Sequence, residues 1–63
     1  MNTKEQIDEL FCKILKQQPQ IDLQKFEIHC LMKIRKVKLQ FYFKKKFAEL
    51  LPQLRKLEKK KTN

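Results

Sequence analysis

The sequence predicts an all-α protein, a helical hairpin that pairs with a second copy to form a homodimeric bundle. Two observations point to this fold class. Apolar residues recur every three or four positions near the start of the chain, and glycine is absent from all 63 residues. Residues 23–51 also contain no proline. Because glycine and proline are the residues that most often break helices, this stretch is free to form one long helix.

The first helix is predicted over residues 4–17. Thr3 is followed three residues later by Gln6, which is the capping-box pattern of a helix start. The apolar residues that follow form one stripe of a helix: Ile7, Leu10, Phe11, Ile14 and Leu15. This stripe has to be buried against another part of the chain or against a partner.

A short connection and a longer helix follow. Pro19 interrupts the first helix, and Asp22 offers a side-chain cap for a helix that starts at Leu23. This helix is predicted to span residues 23–51 and to lie antiparallel to the first. One alternative stays open, since residues 36–43 alternate apolar and polar side chains, which is a strand pattern.

The long helix is predicted to have two apolar faces. At about 100° per residue, Leu23, Phe26 and Phe41 fall on one face. The residues that fall almost opposite are Ile28, Met32, Leu39, Phe43 and Leu50. The first helix is too short to cover both faces, so a second copy of the chain or a return of the C-terminal tail has to cover the rest, and we expect a homodimer. The residues assigned to self-association, or to another protein partner, are Ile28, Met32, Leu39, Phe43, Phe47, Leu50, Leu54 and Leu57.

Pro52 is predicted to end or kink the long helix. Leucines continue at helical spacing beyond it, so a short C-terminal helical extension is expected after Pro52. Residues 1–57 are therefore predicted to form a single helical domain. Residues 58–63 are predicted to be a basic tail that frays.

Basic residues are concentrated in the second half of the chain. The formal net charge is +9, and residues 23–63 contain thirteen basic and three acidic residues. This excess predicts an anionic partner. The residues predicted to bind nucleic acid, with Tyr42 as a base-stacking side chain, are Lys33, Arg35, Lys36, Lys38, Tyr42, Lys44, Lys45 and Lys46.

Residues suited to catalysis or metal binding are scarce. Cys12, His29 and Cys30 are the only soft metal ligands, and their spacing matches no common metal site. Serine is absent, and no acidic residue lies three or four positions from His29. A nucleophilic triad therefore lacks its components. We expect no enzymatic activity, no metal and no cofactor.

A cytoplasmic location is expected. No apolar run approaches the ~20 residues of a membrane span, and acidic residues at positions 5, 8 and 9 argue against a signal peptide. Binding to an acidic lipid surface through a basic amphipathic helix is a further alternative. The absence of tryptophan and the lack of net positive charge on the first helix argue against it.

Two hypotheses of function follow from these patterns. The first is a dimeric nucleic-acid-binding accessory or regulatory factor of the kind encoded on phages and plasmids. The second is a protein-interaction factor, such as an inhibitor, an adaptor or a capsid or assembly scaffold, that docks an apolar helix face onto an acidic protein. Lysine predominates over arginine, which favours contacts with phosphates over recognition of individual bases.

Overall fold

The computed structural model describes residues 3–17 and 20–58, and in this part of the chain it is all-α, as predicted. In chain order the helices are α1 (Lys4–Gln17), α2 (Leu23–Lys33) and α3 (Val37–Leu57). Residues 18–19 of the predicted connection and residues 59–63 of the predicted tail lie outside the described residues. None of the three helices combines the length and the apolar content needed to cross a membrane.

Both predicted helix starts are capped by side chains. Thr3 Oγ1 accepts a hydrogen bond from the backbone N–H of Gln6 at 3.2 Å. The carboxylate of Asp22 accepts two, from the backbone N–H groups of Gln24 and Lys25, at 3.1 and 3.3 Å. These bonds satisfy N–H groups that have no partner inside the first helical turn. The starts of α1 and α2 are therefore determined by local sequence.

The continuous helix predicted over residues 23–51 is wrong. α2 ends at Lys33, and α3 begins at Val37. Between them the backbone is extended, with φ −88° and ψ 113° at Ile34 and φ −82° and ψ 128° at Lys36. The strand alternative is wrong as well, since α3 takes up all but the first residue of that segment.

The spacing of buried residues explains this break. Cys30 and Ile34 are buried four positions apart, but the next buried residue, Leu39, lies five positions further on. In a continuous helix that step would turn Leu39 about 140° away from Ile34. The extended connection removes the rotation, so Leu39 joins the same core. Gln40 Nε2 donates a hydrogen bond to the Ile34 carbonyl at 2.7 Å and so bridges the break.

Four phenylalanines from the three helices meet in the core. Phe11 of α1 stacks on Phe43 of α3, with 5.1 Å between ring centroids. Phe26 of α2 lies 5.7 Å from Phe11 and 6.0 Å from Phe43, and Phe47 lies beside both Phe26 and Phe43. Each such pair contributes about 0.5–1.5 kcal/mol beyond its buried area. This aromatic cluster joins α3 to both other helices.

Three residues predicted to self-associate lie in the core of the single chain instead. Leu39, Phe43 and Leu54 are at most 7% exposed. The break turns their side of α3 inward, so the apolar face that was expected to need a second chain is covered by α1 and α2. The other residues of the predicted interface are half-buried or exposed: Phe47, Leu50 and Leu57 are half-buried, and Ile28 and Met32 are exposed.

The predicted C-terminal extension is helical and belongs to α3. The helix passes through Pro52, which has no N–H to donate to the Ala48 carbonyl, and continues to Leu57. There, the backbone N–H of Ile21 donates to the carbonyl of Leu57 at 2.9 Å. The end of α3 is thereby tied to the residue that precedes the cap of α2.

Candidate functional site

The side of α3 that faces away from the core is rich in cations. Leu39, Phe43 and Leu54 define the buried side, and exposed residues occupy the opposite side at 100° per residue. We call this surface the basic face; it consists of Lys38, Phe41, Lys44, Lys45, Ala48, Pro52, Arg55 and Lys56. Glu49 lies at its edge. The basic face combines five cations with one aromatic ring.

Phe41 is the aromatic residue of this face. It is 65% exposed, whereas the four other phenylalanines form the core cluster. Lys38, Lys44 and Lys45 lie three or four residues from it and are its neighbours on the helix surface. Val37, one turn before it, is 60% exposed. Phe41 was predicted to lie on the same face as Leu23 and Phe26, because residues 23–51 were expected to form one unbroken helix.

Tyr42, the predicted stacking residue, is engaged with α1. Its hydroxyl donates a hydrogen bond to Asp8 Oδ1 at 2.5 Å, and Lys4 Nζ lies 5.3 Å from the centre of its ring. The hydrogen bond to Asp8 raises the pKa of Tyr42, because ionisation would place a phenolate beside a carboxylate. Tyr42 therefore belongs to the α1–α3 contact, at the edge of the basic face.

The other predicted cations fall into two groups. Lys46 forms an ion pair with Asp8, with 3.5 Å between Nζ and Oδ1, so part of its charge is compensated within the chain. Lys33, Arg35 and Lys36 are exposed around the α2–α3 connection. Together with the first turn of α3, this connection places four cations within residues 33–38.

An open cleft adjoins the basic face. It has a volume of about 310 Å³ and is lined by Lys4, Tyr42, Lys45, Lys46 and Glu49. The cleft joins the start of α1 to the middle of α3. Its three lysines extend the positive surface from α3 onto α1, while Glu49 reduces the local charge.

The sequence did not predict three side chains of the basic face that offer a charge or an aromatic ring: Phe41, Arg55 and Lys56. Phe41 was missed because the break reverses the side on which it lies. Arg55 and Lys56 lie beyond Pro52, where the long helix was expected to end or kink, and they were not assigned to the same face as Lys38, Lys44 and Lys45. Lys56 follows Lys45 by eleven residues, which is about three helical turns. In a helix that continues past Pro52, this spacing predicts that the two lysines share a face.

The cysteines have contrasting environments. Cys12 is exposed and Cys30 is buried, and both are free thiols. Burial raises the pKa of Cys30 from the ordinary 9.0 to about 11, so its thiol keeps its proton at a pH where an exposed thiol loses it. Within residues 3–17 and 20–58, no three His, Cys, Asp or Glu side chains are grouped as metal ligands would be.

Comparisons with protein-family models, with curated proteins and with solved structures gave no match for this chain. The charge, the exposure and the geometry of its own residues are therefore the basis for a functional proposal. The basic face is the surface on which these three properties coincide.

Proposed function

We propose that the protein binds nucleic acid through the basic face of α3 and the cations of the α2–α3 connection, and that it acts by binding and not by catalysis. The observation that supports this is the alignment of exposed cations along one side of a single 21-residue helix. At 1.5 Å per residue, Lys38 and Lys56 are about 27 Å apart along the axis. A rigid row of this length is suited to meeting several phosphates of one strand or groove.

The kind of cation favours contact with the phosphate backbone. Four of the five cations of the basic face are lysines, whose ammonium groups act as point charges without the planar fork of arginine. Such contacts position a nucleic acid without reading its bases. An accessory or regulatory role in the cytoplasm, of the kind encoded on phages and plasmids, is the biological function we propose for it.

The double variant Lys38→Gln/Lys44→Gln tests the proposal. Fluorescence anisotropy with labelled single-stranded and duplex oligonucleotides should show binding by the wild type that weakens steeply as salt rises. The slope of log K against log salt is about −0.7 to −0.9 for each phosphate neutralised. The variant should bind more weakly at low salt, with a slope reduced in magnitude by about 1.4 to 1.8.

The matched control is Lys13→Gln/Lys16→Gln. Both lysines are exposed on α1, and the change removes the same two charges. This control should bind almost as well as the wild type. Equal losses for the two double variants would mean that binding follows total charge and not the basic face. No binding by the wild type at low salt would reject the proposal.

A second candidate function, contact with another protein chain, is supported by Ile28 and Met32. They lie one turn apart on α2 and are 52% and 80% exposed. We propose that this apolar patch mediates self-association, with docking of an acidic protein near Lys33 and Lys36 as the alternative use of the same patch. Light scattering should then give a dimer mass that Ile28→Ser/Met32→Ser converts to a monomer mass. A wild-type monomer across the micromolar range would exclude the homodimer.

A further inference from the structure

We propose that the nucleic acid bound by the basic face is single-stranded and that one of its bases stacks on Phe41. This inference rests on the function proposed above. It adds the strand state of the ligand and a residue that contacts a base.

The exposure of Phe41 is the first observation. The chain places four of its five phenylalanines in the aromatic cluster and leaves this one 65% exposed. In the described part of the chain, no other aromatic ring packs against it. Val37, one turn earlier and also exposed, enlarges the apolar surface. A flat apolar surface of this kind matches the face of an unpaired base, and stacking on aromatic side chains is a general mode of binding single strands.

The cations around Phe41 are the second observation. Lys38 and Lys44 lie three residues before and after it and therefore flank the ring on its two sides. They are about 9 Å apart along the helix axis. A strand that crosses the ring thus meets a cation on either side. Bases and phosphates alternate along a single strand, so this arrangement can engage both parts of it.

The engagement of neighbouring polar groups is the third observation. Gln40, whose amide could otherwise hydrogen-bond to a base edge, donates to the Ile34 carbonyl. The hydroxyl of Tyr42 donates to Asp8. The polar side chains next to Phe41 in sequence are therefore already used within the fold. The interactions that this part of the basic face can offer a nucleic acid are therefore stacking on Phe41 and phosphate contact by Lys38 and Lys44.

A duplex fits these residues less well. In double-stranded nucleic acid each base face is covered by its neighbours, and only the base edges are reachable in the grooves. A phenylalanine ring would have to wedge between base pairs, and unstacking costs a few kcal/mol per step. An unpaired strand exposes its base faces without that cost.

The variants Phe41→Ala and Phe41→Trp test this inference in the full chain. Replacement by alanine should weaken binding to a single-stranded oligonucleotide about 5- to 150-fold. It should leave the salt slope unchanged, because no cation is removed. Binding to a duplex should be weaker than to the single strand and little changed by the substitution. The wild type should bind an abasic strand of the same length about as weakly as the alanine variant binds the normal strand.

The tryptophan variant gives a direct readout. The chain contains no tryptophan, so Phe41→Trp introduces a single fluorophore at the proposed contact. The variant should retain single-strand affinity, and its fluorescence should be quenched by an oligonucleotide with bases and not by the abasic strand. His29→Ala removes an exposed planar ring from α2, outside both proposed binding surfaces, and serves as the matched control, with unchanged affinity expected. Circular dichroism melting should show that the alanine variant of Phe41 remains folded.

The outcomes separate this inference from the function on which it rests. If Phe41→Ala binds single strands as the wild type does while Lys38→Gln/Lys44→Gln binds weakly, stacking is excluded and nucleic-acid binding by the basic face stands. Preference of the wild type for duplex, or equal affinity for normal and abasic strands, would also overturn the inference. If the wild type binds no oligonucleotide at low salt, both proposals fail.

Discussion

At the scale of single residues, burial gives the thiols of Cys12 and Cys30 different environments. Cys30 is 1% exposed, and its burial raises its pKa to about 11. Cys12 lies on the exposed side of α1. Because the thiolate is the nucleophile, a thiol that is both inaccessible and protonated should react slowly.

We predict that a thiol-reactive disulfide reagent will modify Cys12 quickly and Cys30 slowly in the native protein at pH 8. Release of the chromophore should therefore have two phases, which merge when the protein is unfolded in guanidinium. Cys12→Ser should retain the slow phase alone, and Cys30→Ser the fast phase alone. Equally fast modification of both single-cysteine variants would contradict the placement of Cys30 in the core.

The raised pKa of Cys30 also gives stability a defined pH dependence. A folded-state pKa above the ordinary value of 9.0 means that the native thiol keeps its proton at a pH where the unfolded chain loses it. The contribution of Cys30 to stability is therefore complete below about pH 9 and is lost as pH rises through about 11. The difference in urea midpoint between the wild type and Cys30→Ala should shrink over this range and stay constant below it.

At the scale of helices, the starts of α1 and α2 could be predicted from sequence, and the break before α3 could not. Thr3 and Asp22 are capping residues whose side chains form the expected hydrogen bonds. Lys36 at the start of α3 forms no side-chain cap, and no glycine or proline marks the connection. The sequence feature that marks the break is the five-residue step from Ile34 to Leu39. This step indicates a break only if both side chains are known to enter the same core.

Proline substitution at Val37 can distinguish a break from a continuous helix. Val37 is the first residue of α3, where the N–H has no acceptor within the helix, and the extended backbone of Lys36 suits a residue before proline. We predict that Val37→Pro leaves the free energy of unfolding unchanged or raises it by up to about 1 kcal/mol. In a continuous helix the same change would cost about 3 kcal/mol or more. Urea denaturation measures the difference.

Two further substitutions calibrate that measurement. Val37→Ala removes the same exposed side chain without fixing the backbone, so it isolates the loss of the valine. Lys44→Pro places proline in the interior of α3 and should destabilise the protein by about 3 kcal/mol or more. A loss of that size from Val37→Pro would mean that α2 and α3 form one helix.

At the scale of the whole molecule, the break determines both the core and the candidate site. It lets α3 pack against both other helices, and the tie between Ile21 and Leu57 holds the far end of α3 in place. Three of the five cations of the basic face, Lys38, Lys44 and Lys45, could be predicted from the sequence, because they lie within one cluster of basic residues. Their common face and the exposure of Phe41 could not, because both depend on which side of α3 the core selects.

The same charge distribution should make the stability of the fold depend on salt in the opposite direction to ligand binding. A net charge of +9 on 63 residues repels itself most strongly in the compact state. Added sodium chloride screens this repulsion, so the melting temperature should rise, and a gain of about 0.5 kcal/mol corresponds to about 2–4 °C. Nucleic-acid affinity should fall over the same range, because counterion release weakens it.

Charge variants show where the repulsion arises. Lys38→Gln/Lys44→Gln should raise the melting temperature at low salt and make its rise with salt shallower, because it removes cations from the crowded basic face. Lys13→Gln/Lys16→Gln removes cations from α1, where Glu5, Asp8 and Glu9 offset them, and should not raise it. A melting temperature that falls as salt is added would mean that attractive pairs such as Lys46–Asp8 outweigh the repulsion. The cations of α3 would then stabilise the fold, and their exposure would no longer point to an anionic ligand.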